Sequence, residues 1–217
     1  MPSDFCPRCE RIKLGVSRPS DFKHLATPPA LLYHGTAGEN LTSIMEDGLT
    51  PGNSERCVTP GYEEHVSGWV STVDKQSEAA MFACRAHFGT IAGDAINGAF
   101  IQRRDRVDAW GTVVLEINAP WAEMLGVKWQ FRPALENGLG HEWATHQRIP
   151  RDAIIGARWT HPVLLPNGKT KHVSEELDKT ELYVLAREGP SGLEKFRREV
   201  AEEIAADRAS RGLPPAA

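Results

Sequence analysis

Residues 31–52, LLYHGTAGENLTSIMEDGLTPG, decide how this chain is read. Ala30, Leu31, Leu32, Tyr33 and His34 form an apolar run expected to be a buried strand that stops at Gly35 and Thr36. Asn40 then stands where a helix N-cap is needed. Leu41, Ile44 and Met45 follow at i, i+3 and i+4, on one helical face. Gly48 sits at the C′ position, where the backbone turns left-handed, and Pro51 forbids continuation. Strand, short helix and stop thus fill residues 30–51.

Working outward, residues 52–68 are rich in Gly, Pro, Ser and Asn and read as a loop. Residues 69–73, WVSTV, read as a strand. Asp74 or Ser77 caps a following helix in which Ala80, Met81, Cys84 and Phe88 keep helical spacing. Residues 111–117, GTVVLEI, are β-branched and closed by Ala119-Pro120, the strongest strand signal in the chain. Further strands are expected at 153–164 and 181–185, with a turn at Pro166-Asn167-Gly168-Lys169 between them. Ser191 and Glu194 form a capping-box pattern, and Leu193, Phe196, Val200 and Ile204 make the apolar stripe of a helix docked on the body. The order lacks regular strand–helix alternation, so the expected class is α+β. The expected organisation is an N-terminal extension over 1–29, a domain over 30–190, and a C-terminal helix and tail over 191–217.

Composition sets the outer limits. The 217 residues are 41% hydrophobic and 25% charged, the balance of a folded globular chain rather than a disordered one. No run of about 18 apolar residues exists to span a bilayer. The start carries no basic cluster followed by an apolar segment, so the cytoplasm is the expected compartment. Lys plus Arg is 25 against 29 Asp plus Glu, a net of −4, which argues against tight indiscriminate nucleic-acid binding but not against a local basic groove. Two arginine clusters are available to such a groove, although each taken alone reads first as solvated surface: Arg103, Arg104 and Arg106, then Arg148, Arg151 and Arg158. Cys6-Pro7-Arg8-Cys9 supplies half of a tetrahedral zinc site. No close second half follows, and Cys57, Cys84 and His24 complete one only if the fold gathers them. The expectation is no metal, with Cys6 and Cys9 as the ligand candidates.

Three stretches carry chemistry. Tyr33-His34-Gly35-Thr36 puts an imidazole beside backbone that a ligand can approach closely. Val70-Ser71-Thr72 offers hydroxyls at a strand end, which hold a ligand or cap the next helix. His141-Glu142-Trp143 follows the loop Glu136-Asn137-Gly138-Leu139-Gly140 and precedes Arg148-Ile149-Pro150.

In order, LYHGT, NLTSIMEDGLTPG, WVSTV with its alanine-rich helix, GTVVLEIN and HEWATHQRIPRDAII resemble the NAD-dependent ADP-ribosyltransferase superfamily. That superfamily includes poly(ADP-ribose) polymerases, rifampin ADP-ribosyltransferases, DNA-modifying toxins and RNA 2′-phosphotransferases. The resemblance covers about residues 30–157 and implies a split antiparallel β-sandwich with short flanking helices and a C-terminal helix. It implies that His34 hydrogen-bonds the adenosine ribose of NAD. Gly35 then binds the nicotinamide carboxamide through its backbone, with Thr36 in the same pocket. Ser71 and Thr72 fall near the nicotinamide ribose, and Glu142 is the catalytic glutamate on its 2′-hydroxyl. Glu116 and Glu136 are the fallbacks. Many members stack nicotinamide on a tyrosine in the second strand; here Trp69 or Tyr62 stands in. Gly140 lies where arginine-directed toxins carry Glu or Gln, which points away from protein arginine. The implied reaction moves ADP-ribose to a macromolecular acceptor, nucleic acid slightly ahead of protein, and suits a toxin, defence factor or regulatory modifier. The alternatives are an RNA 2′-phosphotransferase and a binding module of the same fold without turnover.

Overall fold

The structure is a computed structural model that describes residues 27–51, 68–80, 82–83, 110–132 and 142–214. Seven antiparallel strands form one sheet in the order β4-β5-β2-β1-β3-β6-β7. They are β1 (Leu31–Ala37), β2 (Val70–Val73), β3 (Thr112–Asn118), β4 (Gln130–Arg132), β5 (Glu142–Thr145), β6 (Ile154–Leu164) and β7 (Thr170–Asp178). Helix α1 spans Leu41–Asp47, residues 76–80 and 82–83 are helical (α2), α3 spans Ala119–Met124, and α4 spans Lys179–Ser210. The molecule is therefore α+β, with strands first and the long helix last. Among the described residues no helix is long and apolar enough to cross a membrane.

Alternation along the strands sorts side chains onto two unequal faces. On the larger, Leu32, Val113, Leu115, Ile117, Ala157 and Trp159 pack with Leu41, Ile44 and Met45 of α1 and with Leu182, Leu185 and Leu193 of α4. Full burial of such an aliphatic side chain stabilises by about 1.5–3 kcal/mol, so this layer dominates the hydrophobic term. The smaller face gathers Val73, Val114, Ala79 and Ala83, with Tyr33 and Ala80 against them.

Four sequence expectations change. Strand β1 does not stop at Gly35 but runs on to Ala37. Gly35 is needed there because α2 crosses it: a Cβ would lie 1.9 Å from the Ala79 carbonyl oxygen. Asn40 precedes α1 but makes no side-chain cap; a 3-10 turn over Gly38–Asn40 redirects its amide to the Thr36 hydroxyl at 3.0 Å. Residues 181–185 are not a strand but the first turns of α4. Its start is fixed by a capping box in which Glu181 N–H donates to Asp178 Oδ1 at 2.8 Å. The strand expected there is β7, shifted to Thr170–Asp178 as the return arm of the Pro166–Lys169 turn.

The capping pattern at Ser191 marks a restart rather than a start. Gly189 (φ 75°) and Pro190 break α4, and the stripe beyond is buried at Leu193 but exposed at Val200 and Ile204. Across that break Arg197 donates to Glu181 Oε1 at 2.7 Å and to Glu175 Oε2 at 2.5 Å. Glu175 also meets His161 Nε2 at 2.6 Å, and the His161 ring stacks on Trp159. These contacts tie both halves of α4 to β6 and β7.

Candidate functional site

β1 is central, yet its two neighbours hold it differently. With β3 it shares seven register pairs, from Leu31↔Asn118 to Ala37↔Thr112. With β2 it shares one, Tyr33↔Val73. The sheet is continuous rather than two separate sheets, but it is joined at this point by a single residue pair.

Backbone parity says which groups that leaves over. Gly38 N–H donates to Gly111 O at 2.9 Å, and Ala119 N–H donates to Ala30 O at 3.1 Å. Even-numbered residues of β1 therefore direct N–H and C=O toward β3, and odd-numbered ones toward β2. Tyr33 spends its groups on Val73. Gly35, the next odd residue, directs one donor and one acceptor into the space where the β1–β2 ladder has ended.

His34 stands beside this gap. Its Nδ1 meets the Ser71 carbonyl oxygen at 2.8 Å, so the ring reaches β2 where the backbone does not. A carbonyl only accepts, so Nδ1 carries the proton and Nε2 of the neutral ring is an acceptor. Desolvation pushes the His34 pKa below the ordinary histidine value, and the bond to Ser71 offsets this only in part. The ring is therefore neutral at pH 7.

Glu142 opens β5, paired with Val73, so Glu142, Val73 and Tyr33 form one row across β5, β2 and β1. They share the face on which α2 covers Gly35. With strands about 4.8 Å apart, the Glu142 and Tyr33 backbones are about 10 Å apart, with Val73 of β2 between them. His34 belongs by alternation to the opposite face, and only its ring leans toward β2. His34, Gly35, Ser71 and Glu142 are thus gathered on three adjacent strands.

Other candidates fall elsewhere. The Thr36 side chain is buried and its hydroxyl accepts from Asn40. Thr72 is 1% exposed and its hydroxyl donates to the Trp143 carbonyl at 2.6 Å, a brace between β2 and β5. Trp69 lies at the far end of β2, its ring centroid 3.2 Å from that of His146 and about 13 Å along the strands from the Glu142 row. Glu116 pairs with Tyr33 on the β3 side, and burial, then the neighbouring Glu176, raise its carboxyl pKa against Arg158. Tyr62, Glu136, Cys6 and Cys9 lie outside the described residues.

Sequence reasoning passed over Phe82 as a ring for this site. It is 44% exposed on α2, the helix whose Ala79 and Ala83 lie over Gly35. The available signal was Ala79 and Ala83 at i and i+4, small residues that let a helix approach a glycine. Among the described residues no group of three His, Cys, Asp or Glu side chains is placed to hold a metal ion. The arginines that follow Glu142, Arg148, Arg151 and Arg158, are all exposed; Arg158 pairs with Glu176 and Arg151 reaches the Met45 carbonyl. Compared with known proteins, the chain matches no family model and no curated sequence.

Proposed function

We propose that this chain is an NAD-dependent ADP-ribosyltransferase that binds NAD at the gap between β1 and β2 and transfers ADP-ribose to a macromolecular acceptor. The observation that carries the reading is the single-pair join of β1 to β2, which leaves the Gly35 backbone facing a gap with the His34 ring alongside. A primary carboxamide is the complement of one backbone N–H and one C=O side by side, and nicotinamide carries one. Neutral His34 offers Nε2 to a ribose hydroxyl. Glu142 offers a carboxylate to the hydroxyl beside the reacting carbon. Phe82, rather than Trp69, is the aromatic on the helix that covers Gly35.

In this reading the C1′–nicotinamide bond breaks and its electron pair leaves with nicotinamide. Positive charge develops on the ribose as in glycoside cleavage. Glu142 holds the 2′-hydroxyl and stabilises that charge, an effect that grows where α2 excludes water. The acceptor heteroatom then bonds C1′ and gives its proton to solvent. Holding donor and acceptor in line supplies much of the remaining acceleration.

Nicotinamide release from NAD by the purified protein tests the proposal. Glu142→Gln keeps shape and removes charge, and should lower release about 10²–10³-fold with the melting temperature unchanged. Equal release by both proteins would remove Glu142 from the mechanism. No release from the wild type with any DNA, RNA or protein acceptor would sink the enzyme and leave the binding module.

A further inference from the structure

At the other end of β5 from Glu142, the sheet edge encloses a cavity of ≈ 580 Å³ between α3, β4 and the segment after β5. Its lining includes Lys128, Trp129, Gln130, His146 and Gln147. Lys128, His146 and Gln147 are exposed, as is Arg148 beside them. His146 is held twice, by Nδ1 on the Gly68 carbonyl at 2.7 Å and by its ring against Trp69. Gln147 Oε1 accepts from the Lys128 backbone N–H at 2.6 Å, which fixes the amide and leaves its NH₂ as a donor. A fixed aromatic surface, an ammonium and an oriented amide around one concave space, with the exposed Arg148 next in sequence to the lining residue Gln147, are the parts that bind a single nucleic-acid strand. Rings stack bases, cations take phosphates and amides take base edges. The volume lies within the usual range for a small-molecule site, so it takes one splayed-out base, not a duplex.

We infer that this edge cavity is the docking site of a single-stranded nucleic-acid acceptor, with His146 stacking a base and Lys128 and Arg148 holding its phosphates. The inference rests on the transferase reading and names its substrate class. Four residues of strand, about 13 Å, separate His146 from Glu142, so a strand held here presents a different nucleotide to the reacting carbon. Glu123 is the one carboxylate in the lining, and it adds a repulsion that keeps the bound strand on the Lys128 side. A protein acceptor would instead be expected to pair along β4, the edge strand.

The test is binding of a fluorescent single-stranded oligonucleotide to the full chain, read by anisotropy over a salt series without NAD. The strand should bind. His146→Ala should weaken it about tenfold. Lys128→Ala should reduce the slope of log K against log salt by about 0.7, the value of one phosphate contact. Both side chains are exposed, and circular dichroism confirms that the variants fold. Absence of binding, or variants that bind as the wild type does, would overturn the site, as would preference for a peptide over the oligonucleotide. Nicotinamide release is measured separately, so failure of this site and failure of the transferase reading are told apart.

Discussion

On its β3 side, β1 runs through seven register pairs with alternate side chains sunk in the main core; on its β2 side it meets Val73 once. The first arrangement spends every inward backbone group on a ladder, and Leu32, Leu115 and Ile117 lock it with no exposed surface. The second withholds the ladder at Gly35 and replaces it with the His34 ring on Ser71. One strand is thus anchored along one edge and left open past Tyr33 along the other, the edge to which the proposed function assigns NAD. The short ladder of the second edge is tolerable because the first edge alone anchors the strand.

The sharpest way to break this comparison is to fill the space above Gly35. In Gly35→Ala the Cβ meets Ala79 O at 1.9 Å and Ala83 N at 2.6 Å, so α2 must retreat from the sheet. Destabilisation of about 1–3 kcal/mol is expected, read by chemical denaturation, together with loss of nicotinamide release. A variant of unchanged stability would mean that α2 does not pack on β1.

His34→Ala should have a smaller effect, about a tenfold loss of NAD affinity by calorimetry, since one hydrogen bond is removed. The wild type should also show a pH response. The folded pKa of His34 lies below the unfolded one, so the unfolded chain takes up the proton first. Stability should decline as pH falls below about 6.5, the ordinary histidine value. NAD affinity should decline at lower pH still, as the folded ring itself protonates. An affinity that already falls between pH 8 and pH 7 would contradict a ring that is neutral there.

The smallest effect belongs to Glu116, in register with Tyr33 on the scaffold side. Glu116→Gln should leave nicotinamide release unchanged. Its raised carboxyl pKa means the folded state keeps its proton longer, so this group costs stability as pH rises through that range. The variant should therefore melt slightly higher than the wild type at neutral pH. Loss of release would move catalysis to the β3 side and dissolve the contrast.

How much of this was legible in the sequence follows the same divide. The scaffold side announces itself: β3 is a β-branched run, and Leu41, Ile44 and Met45 are all buried as helical spacing predicts. β7 did not, because the polarity of TKHVSEELD is what an edge strand carries; its residues Lys171, His172, Ser174 and Glu176 are exposed. Residues 181–185 look like a strand by propensity, yet Leu182, Leu185 and Ala186 keep helical spacing and Asp178 caps it. At the site, residue types pointed to the His34, Gly35 and Glu142 strands. What they could not reveal was that the β1–β2 ladder ends at Tyr33, or that Trp69 and Glu142 lie at opposite ends of the β2–β5 pair. Register is a property of paired strands, and neither strand carries it alone.

The central claim is that Gly35 holds nicotinamide with backbone groups the sheet leaves unpaired. Amide hydrogen exchange at Gly35, measured by NMR with and without NAD, addresses it directly. The account predicts fast exchange at Gly35 in the free protein beside slow exchange at His34 and Leu115, and protection of Gly35 when NAD is added. A Gly35 amide already protected without NAD, or one that NAD leaves unchanged, would contradict it.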